Sequence, residues 1–343
     1  MNRWEAQLRR EQAQEQARLE VEAYENAVAL LLSVHKERSA PVEWSKLASA
    51  LPPREPMRLR QRAFMAMLKH GVSEIENSSN MTASSIDEAH ALDEREYLAA
   101  RETYERKLRE LERLRSLAAR VLAGETGAYS EAISEFSTVG EIAHLGSSAH
   151  FTVHNPKLVE CVLTVSGRQA VPTELKSLTA AGKLSVKAMP KQRFHEIYQD
   201  YVCGCVLRLA REMLALLPIE EVLVTASVNG IDSRTGTLAE LPVLSAGIAR
   251  STVERLDFER LDPSDSMENF PHRGDVIASR RGGEFLPIVP LTPADLARER
   301  PEQIDFTCAL TSMRSLRSEI KSQLKPVVTE PEEVVDAEKC LSL

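Results

Sequence analysis

The sequence predicts an α+β protein, mostly helical, in which an N-terminal long-helix hairpin or coiled coil precedes a small sheet packed on one long buried helix. Three observations carry this. Residues 4–36 and 87–122 are rich in Glu, Gln, Arg, Ala and Leu and contain neither Gly nor Pro, the composition of strong helix formers. Period-two alternation at Val159, Cys161, Leu163 and Val165, and the apolar runs at 221–228 and 241–249, mark strands. Between them, residues 194–217 carry apolar side chains on more than one face, which in a soluble fold means burial on several sides.

Composition bounds the rest. A chain of 343 residues is long enough for two domains. With 5% aromatic and 27% charged residues it suits long, solvent-washed helices. The net charge of −8 argues against broad, sequence-independent binding to nucleic acid, which depends on Lys and Arg neutralising phosphates. Five scattered cysteines, Cys161, Cys203, Cys205, Cys308 and Cys340, make no disulfide framework, so a reducing cytoplasm is the expected location. Apolar runs of about 18 residues are missing and the first residues are charged, so no membrane partner is expected. The final Cys340-Leu-Ser-Leu343 formally matches a prenylation box, but Ser342 replaces an aliphatic residue and acidic residues precede it, so we read it as coincidence.

The elements follow in order. In the first helix the apolar positions are sparse at Trp4, Leu8, Leu19 and Val21 and dense from Tyr24 to Val34, and Ser39, Ala40 and Pro41 end it. A short helix over 44–51, a break at Pro52, Pro53 and Pro56, and a second short helix over 57–70 capped by Gly71 come next. The serine-rich segment 73–85 reads as a loop, and Ser85 with Glu88 makes a capping-box pattern at the start of the second long helix. Its stripe of Tyr97, Tyr104, Leu108, Leu111, Leu114 and Ala118 recurs close to heptad spacing among Glu and Arg. The two long helices are therefore expected to fold back on each other or to pair with a second copy of the chain; a solvated face without a partner is the plainer alternative. Gly124 and Gly127 end this helix, and a further helical piece spans 129–136.

Near Phe151 the character changes from Glu and Arg to β-branched residues, which sets a domain boundary: 1–145 helical or coiled coil, 151–290 α+β, 291–325 a helical extension, and 326–343 a disordered acidic tail. After the strand at Val159–Val165 the chain is basic and turn-rich, with short strands at most around Val171 and Leu184. The buried helix, about 36 Å long, is bracketed by Pro190 and Pro218. On it, Cys203 and Cys205 lack the spacing of a zinc or redox pair and read as packing residues, Gly204 admits another backbone, and Arg208 with Glu212 suggests a helix-surface or interface ion pair rather than catalysis. The strands at 221–228 and 241–249 make a hairpin across a polar connection.

Three groups of residues carry candidate chemistry. Glu174-Leu-Lys176 is an acid-x-Lys unit following a strand and preceding a long helix, and with Glu160 upstream it resembles the restriction-type nucleases of the PD-(D/E)xK class. That resemblance implies Mg²⁺ held by Glu160 and Glu174, with Lys176 stabilising charge at the scissile phosphate. Glu in place of the usual Asp, and Pro172 within the strand, depart from the pattern, and an exposed turn is the competing reading. The basic residues Lys183, Lys187, Lys191 and Arg193 form a binding candidate for a phosphate backbone or an acidic partner, without the interleaved aromatics of a stacking surface. Asp262, Asp265 and His272 lie close enough in sequence to converge on a divalent metal, although Asp-Pro-Ser-Asp is also a turn or helix-cap signal.

Walker A, G-x-G-x-x-G, H-E-x-x-H and G-x-S-x-G patterns are missing, which weakens the commonest nucleotide-binding, metalloprotease and serine-hydrolase readings. The stretch FHEIYQDYVCGCVLRLAREMLALLP together with LDPSDSMENF resembles bacterial proteins that join a helical N-terminal half to a small α+β domain, and this resemblance implies no activity. The expected function is a cytosolic, self-associating binding or assembly component whose α+β part recognises a partner: itself through the long helices, or another protein. The alternative is a Mg²⁺-dependent nuclease or related phosphodiester enzyme, in which case nucleic acid is the partner.

Overall fold

In the computed structural model the described residues are 3–37, 39–58, 81–137, 148–275 and 285–299, with isolated positions between 60 and 68. Two compact units divide the chain, Met1–Leu296 and Ala297–Leu343, and of the second only the end of one helix is described. The helical extension beyond residue 299, the acidic tail, Cys308, Cys340, the loop over 73–80, and most of the short helix at 57–70 with its cap at Gly71 lie outside the described residues.

The fold is α+β. Its sheet runs in the order β1 (Ser148–Asn155), β2 (Leu158–Thr164), β5 (Glu221–Ile231), β6 (Leu238–Ala249), β7 (His272–Arg273). Neighbours are antiparallel except β2 and β5, which are parallel and joined by a crossover. That crossover holds a separate two-stranded hairpin, β3 (Glu174–Leu178) with β4 (Leu184–Ala188), and then α5 (Lys191–Leu216).

Register explains why α5 lies where it does. Val159, Val222 and Ile248 align across the sheet, as do Cys161, Val224 and Ala246, and Leu163, Ala226 and Leu244. These apolar rows are buried in one core with most of α5, including Tyr201, Val202, Cys205, Leu209 and Met213. The opposite face is lined by Leu223 and the paired hydroxyls of Thr225 and Ser245, and is covered by Leu291 and by Leu296 of the short helix Pro293–Glu299. Burial pushes the Cys161, Cys203 and Cys205 thiols above their ordinary range, as packing residues require.

Away from the sheet, α5 meets the first long helix, α1 (Arg3–Ser33), and the single-turn helix Val34–Lys36 that follows it. A Cβ on Gly204 would lie 3.7 Å from the His35 amide nitrogen, so the backbones come near but leave room for a methyl. Arg208 lies 3.5 Å from Glu37 and 3.5 Å from Glu212, whose carboxylate also accepts from the Ser39 hydroxyl, so the expected pair serves a buried junction. The middle of α1 rests on β3 and β4, where Ala17 and Val21 are buried and Gln14 donates to the Ala181 carbonyl.

The second long helix, α3 (Met81–Leu122), packs elsewhere, on α2 (Trp44–Ala48) and α4 (Thr126–Phe136). Its terminal Leu117, Ala118 and Val121 are buried, and Arg120 pairs with Glu125 and Glu131 at 2.9 Å each. Among the described residues the two long helices thus do not run along each other. The apolar end of α1 is occupied by α5 and the hairpin, which leaves the stripe on α3 half-buried. Residues 1–145 and 151–290 lie in the same compact unit for the same reason.

Candidate functional site

Because α5 follows the parallel strand β2 and leads into β5, its amino end stands beyond the carboxyl ends of both, the position where open α/β layers commonly hold ligands. The β3–β4 hairpin leaves and re-enters the crossover there, its base closed by the Met189 amide donating to the Thr173 carbonyl at 2.9 Å. Segments 168–173 and 189–195 thus form two walls of a cleft of ≈ 570 Å³, lined by Arg168, Gln169, Thr173, Met189, Lys191, Phe194 and His195.

The cleft's polar groups point one way electrostatically. Arg168 and Lys191 are cationic, and among the described residues no carboxylate lines the cavity and Lys191 makes no ion pair. Pro190 is the N-cap of α5 and supplies no side-chain cap, so the first amides of a 26-residue helix are left to other partners. Helix amino ends carry partial positive charge and bind anions. The Arg168 guanidinium lies 5.3 Å from the centre of the Phe194 ring, which stacks a cation on the aromatic wall.

His195 is 7% exposed, lines the cleft, and makes no side-chain hydrogen bond among the described residues. One turn on, Gln199 is 3% exposed and equally without one. The buried side-chain atoms left without a hydrogen-bond partner among the described residues lie elsewhere, at both ring nitrogens of His35 and at Nε and Nη1 of Arg208.

A second polar cluster borders α5 further along. Ser264 donates to Asp200 at 2.8 Å and to Asp262 at 2.8 Å, so two carboxylates share one hydroxyl. Burial, with the neighbouring Asp262, pushes the Asp200 carboxyl up to about 6. His35, buried nearby with neither ring nitrogen in hydrogen-bond geometry, is pushed below its ordinary value by burial and then by Lys36 and Arg211.

The residues singled out from sequence fall as follows. Lys191 lines the cleft; Arg193, in the next position but one, lies 3.4 Å from Glu196; Lys183 and Lys187 are exposed on the hairpin and do not line it. Glu160 is in the five-stranded sheet, opposite Thr152 and Leu223, and its carboxylate meets His154 Nε2 at 2.6 Å. Glu174 and Lys176 belong to the separate hairpin, and the Lys176 ammonium bonds Glu20 of α1 at 3.2 Å. Two sheets and two local partners therefore separate the nuclease-like trio. Asp262 caps the short helix Pro263–Ser266 by accepting from the Ser264 and Asp265 amides, and His272 Nδ1 lies 3.0 Å from the Phe270 carbonyl. The expected metal ligands are thus occupied as a helix cap and a turn, and no group of three or more His, Cys, Asp or Glu among the described residues is placed to hold a metal ion.

Sequence reading missed Arg168, His195 and Gln199. The available signal was the pair of polar residues four apart, His195 and Gln199, on the same helical face as Tyr198 and Val202. No protein-family model, curated protein or solved structure matches the chain.

Proposed function

We propose that the protein is a cytoplasmic, self-associating binding or assembly component whose α+β half recognises a partner through an anionic group seated at the amino end of α5. One observation carries the reading. Among the described residues the cleft is lined by Arg168, Lys191 and the nearly buried His195 and by no carboxylate, and the helix end has no side-chain cap. Self-association draws support from α3, where Tyr97, Tyr104, Leu108, Leu111 and Leu114 remain half-buried within one chain and Leu92 and Leu98 are exposed.

Both parts are open to test on the full chain. Light scattering at micromolar concentration is expected to give a mass above one chain, and the mass of one chain removes self-association. Calorimetric titration with inorganic phosphate and with polyglutamate is expected to give binding to at least one of them, weakened when Arg168→Ala and Lys191→Ala are combined. Equal heats from the variant and the parent protein remove the cleft from the reading.

A further inference from the structure

We infer that α3 is the self-association surface, pairing with α3 of a second copy of the chain in antiparallel orientation about a two-fold axis near residues 105 and 106. The inference rests on the self-association reading above and names its surface and its geometry.

Charge segregation along α3 sets the orientation. Residues 87–105 hold seven Asp or Glu and two Arg, whereas residues 106–120 hold six Arg or Lys and two Glu. In an antiparallel pair the acidic half of each copy lies along the basic half of the other, and the two-fold axis repeats the match. A parallel pair would set acid on acid and base on base, and flanking charges of this kind decide the orientation of paired helices. The helix macrodipole also favours acid at the amino end and base at the carboxyl end, but it acts within the first and last turns. A change of sign near the middle of a 42-residue helix, about 63 Å long, is more than the dipole requires.

The middle of α3 is also the part that the chain leaves uncovered. On either side α3 is tied down, by Glu94 to Arg58 at 2.6 Å, by Glu96 to Arg62 at 2.5 Å, and by Arg120 to Glu125 and Glu131 at 2.9 Å each. Between these points residues 98–102 and 105–107 are exposed, and Glu102, Arg106, Lys107 and Arg109 make no ion pair among the described residues. Tyr104, Leu108, Leu111 and Leu114 stand half-buried, and a groove of ≈ 660 Å³ at Leu111 and Leu114 is lined by residues of α3 alone. An amphipathic stripe needs a second surface to cover it. A partner of one charge sign would match one half of α3 and oppose the other, whereas a second copy brings both signs in the matching order.

The test uses the full chain. Light scattering at micromolar concentration is expected to give the mass of two chains. The triple variant Arg106→Glu, Lys107→Glu, Arg109→Glu puts acid in the basic half, and Glu96→Lys, Glu102→Lys, Glu105→Lys puts base in the acidic half; each should weaken self-association about tenfold or more, and mixing the two should restore pairs. All six positions are exposed, and circular dichroism confirms that the variants are folded. Orientation is read from the distance between spin labels at Leu92→Cys in a chain that also carries Cys308→Ser and Cys340→Ser, the other three cysteines being buried. An antiparallel pair places the two labels about 40 Å apart along the axis, and a parallel pair about 10 Å apart. The labels need no charge variant, so they decide the question if either triple variant fails to fold. The mass of one chain removes the self-association reading and this inference together. A two-chain mass with the short label distance, or with association unchanged by both triple variants, overturns the inference and leaves self-association standing.

Discussion

At its carboxyl end α5 hands its last carbonyls to donors from elsewhere in the chain. At its amino end no N-cap side chain accepts from its first amides. The Arg250 guanidinium donates to Leu214 and Leu217 at 2.7 and 2.8 Å and to Ile219 just beyond, the Trp44 indole to Leu216 at 2.6 Å, and the Val42 amide to Ala215 at 3.0 Å. Pro190 at the other end offers no side-chain cap, and His195 and Gln199 make no side-chain hydrogen bond among the described residues. Every helix has orphan groups at both termini, and a fold under selection for stability alone has reason to satisfy both sets. One end satisfied and the other surrounded by cations is the pattern of a scaffold that secures one end of its core helix and presents the other to a ligand.

The largest effect expected from this contrast is at the secured end. Arg250→Ala removes three hydrogen bonds to carbonyls that are then left without that donor, so about 3 kcal/mol of stability should go. Denaturant unfolding of the parent and variant measures it. A loss below about 1 kcal/mol, the level of an ordinary exposed contact, would mean that the carboxyl end is not held by this residue.

How much of this was legible in the sequence differs between the two ends. The helix itself was, because Tyr201, Val202, Cys205 and Leu209 repeat at helical spacing while Val206, Leu207 and Met213 widen the stripe all round. Strands β5 and β6 were legible from their apolar runs. Strand β1 was missed, since its sequence SAHFTVHN mixes polar residues with an alternating, half-exposed pattern typical of a sheet edge. The closing contacts were out of reach: Trp44 and Leu216 are 172 positions apart, and only tertiary packing brings them together. The cleft was reached in part through Lys191, whereas Arg168 sits in a turn-rich stretch and His195 lies between Phe194 and Glu196 with nothing to set it apart from other polar positions of the helix. The expected pairing of the two long helices rested on their amphipathic stripes, which report that a helix needs a partner and not which one. In the fold α5 and the β3–β4 hairpin fill that role for α1.

A smaller effect lies between the two ends, at Asp200. Its carboxyl titrates at about 6 in the folded chain, against roughly 3.9 when unfolded. Between those values the folded state holds the proton more tightly, so this residue's contribution to stability is present at acid pH and is lost as pH rises through 6. Ser264, Asp262 and Arg193 are the groups that bear on it, and they remain in Asp200→Asn. The melting temperature of that variant relative to the parent should therefore rise between pH 4.5 and pH 7.5 and then level off. A difference that is flat across this range would show that Asp200 is as well solvated as an ordinary surface carboxylate, and that the polar cluster along α5 does not extend the open character of its amino end.

The smallest effect expected in stability, and the sharpest test of the contrast, is at the open end. If His195 is kept for a ligand, the fold without ligand is less stable than it need be, because a polar ring only 7% exposed has lost most of its water and makes no side-chain hydrogen bond among the described residues. His195→Leu replaces it with an apolar side chain of similar reach, packing beside Phe194 and Met189, and should raise stability by about 0.5–1 kcal/mol in the absence of ligand while abolishing anion binding. The opposite signs are what matter: the substitution at Arg250 removes stability, and this one adds it at the cost of recognition. Should His195→Leu destabilise the chain as a core substitution would, by about 2 kcal/mol or more, the imidazole serves packing and the two ends of α5 do not differ in purpose.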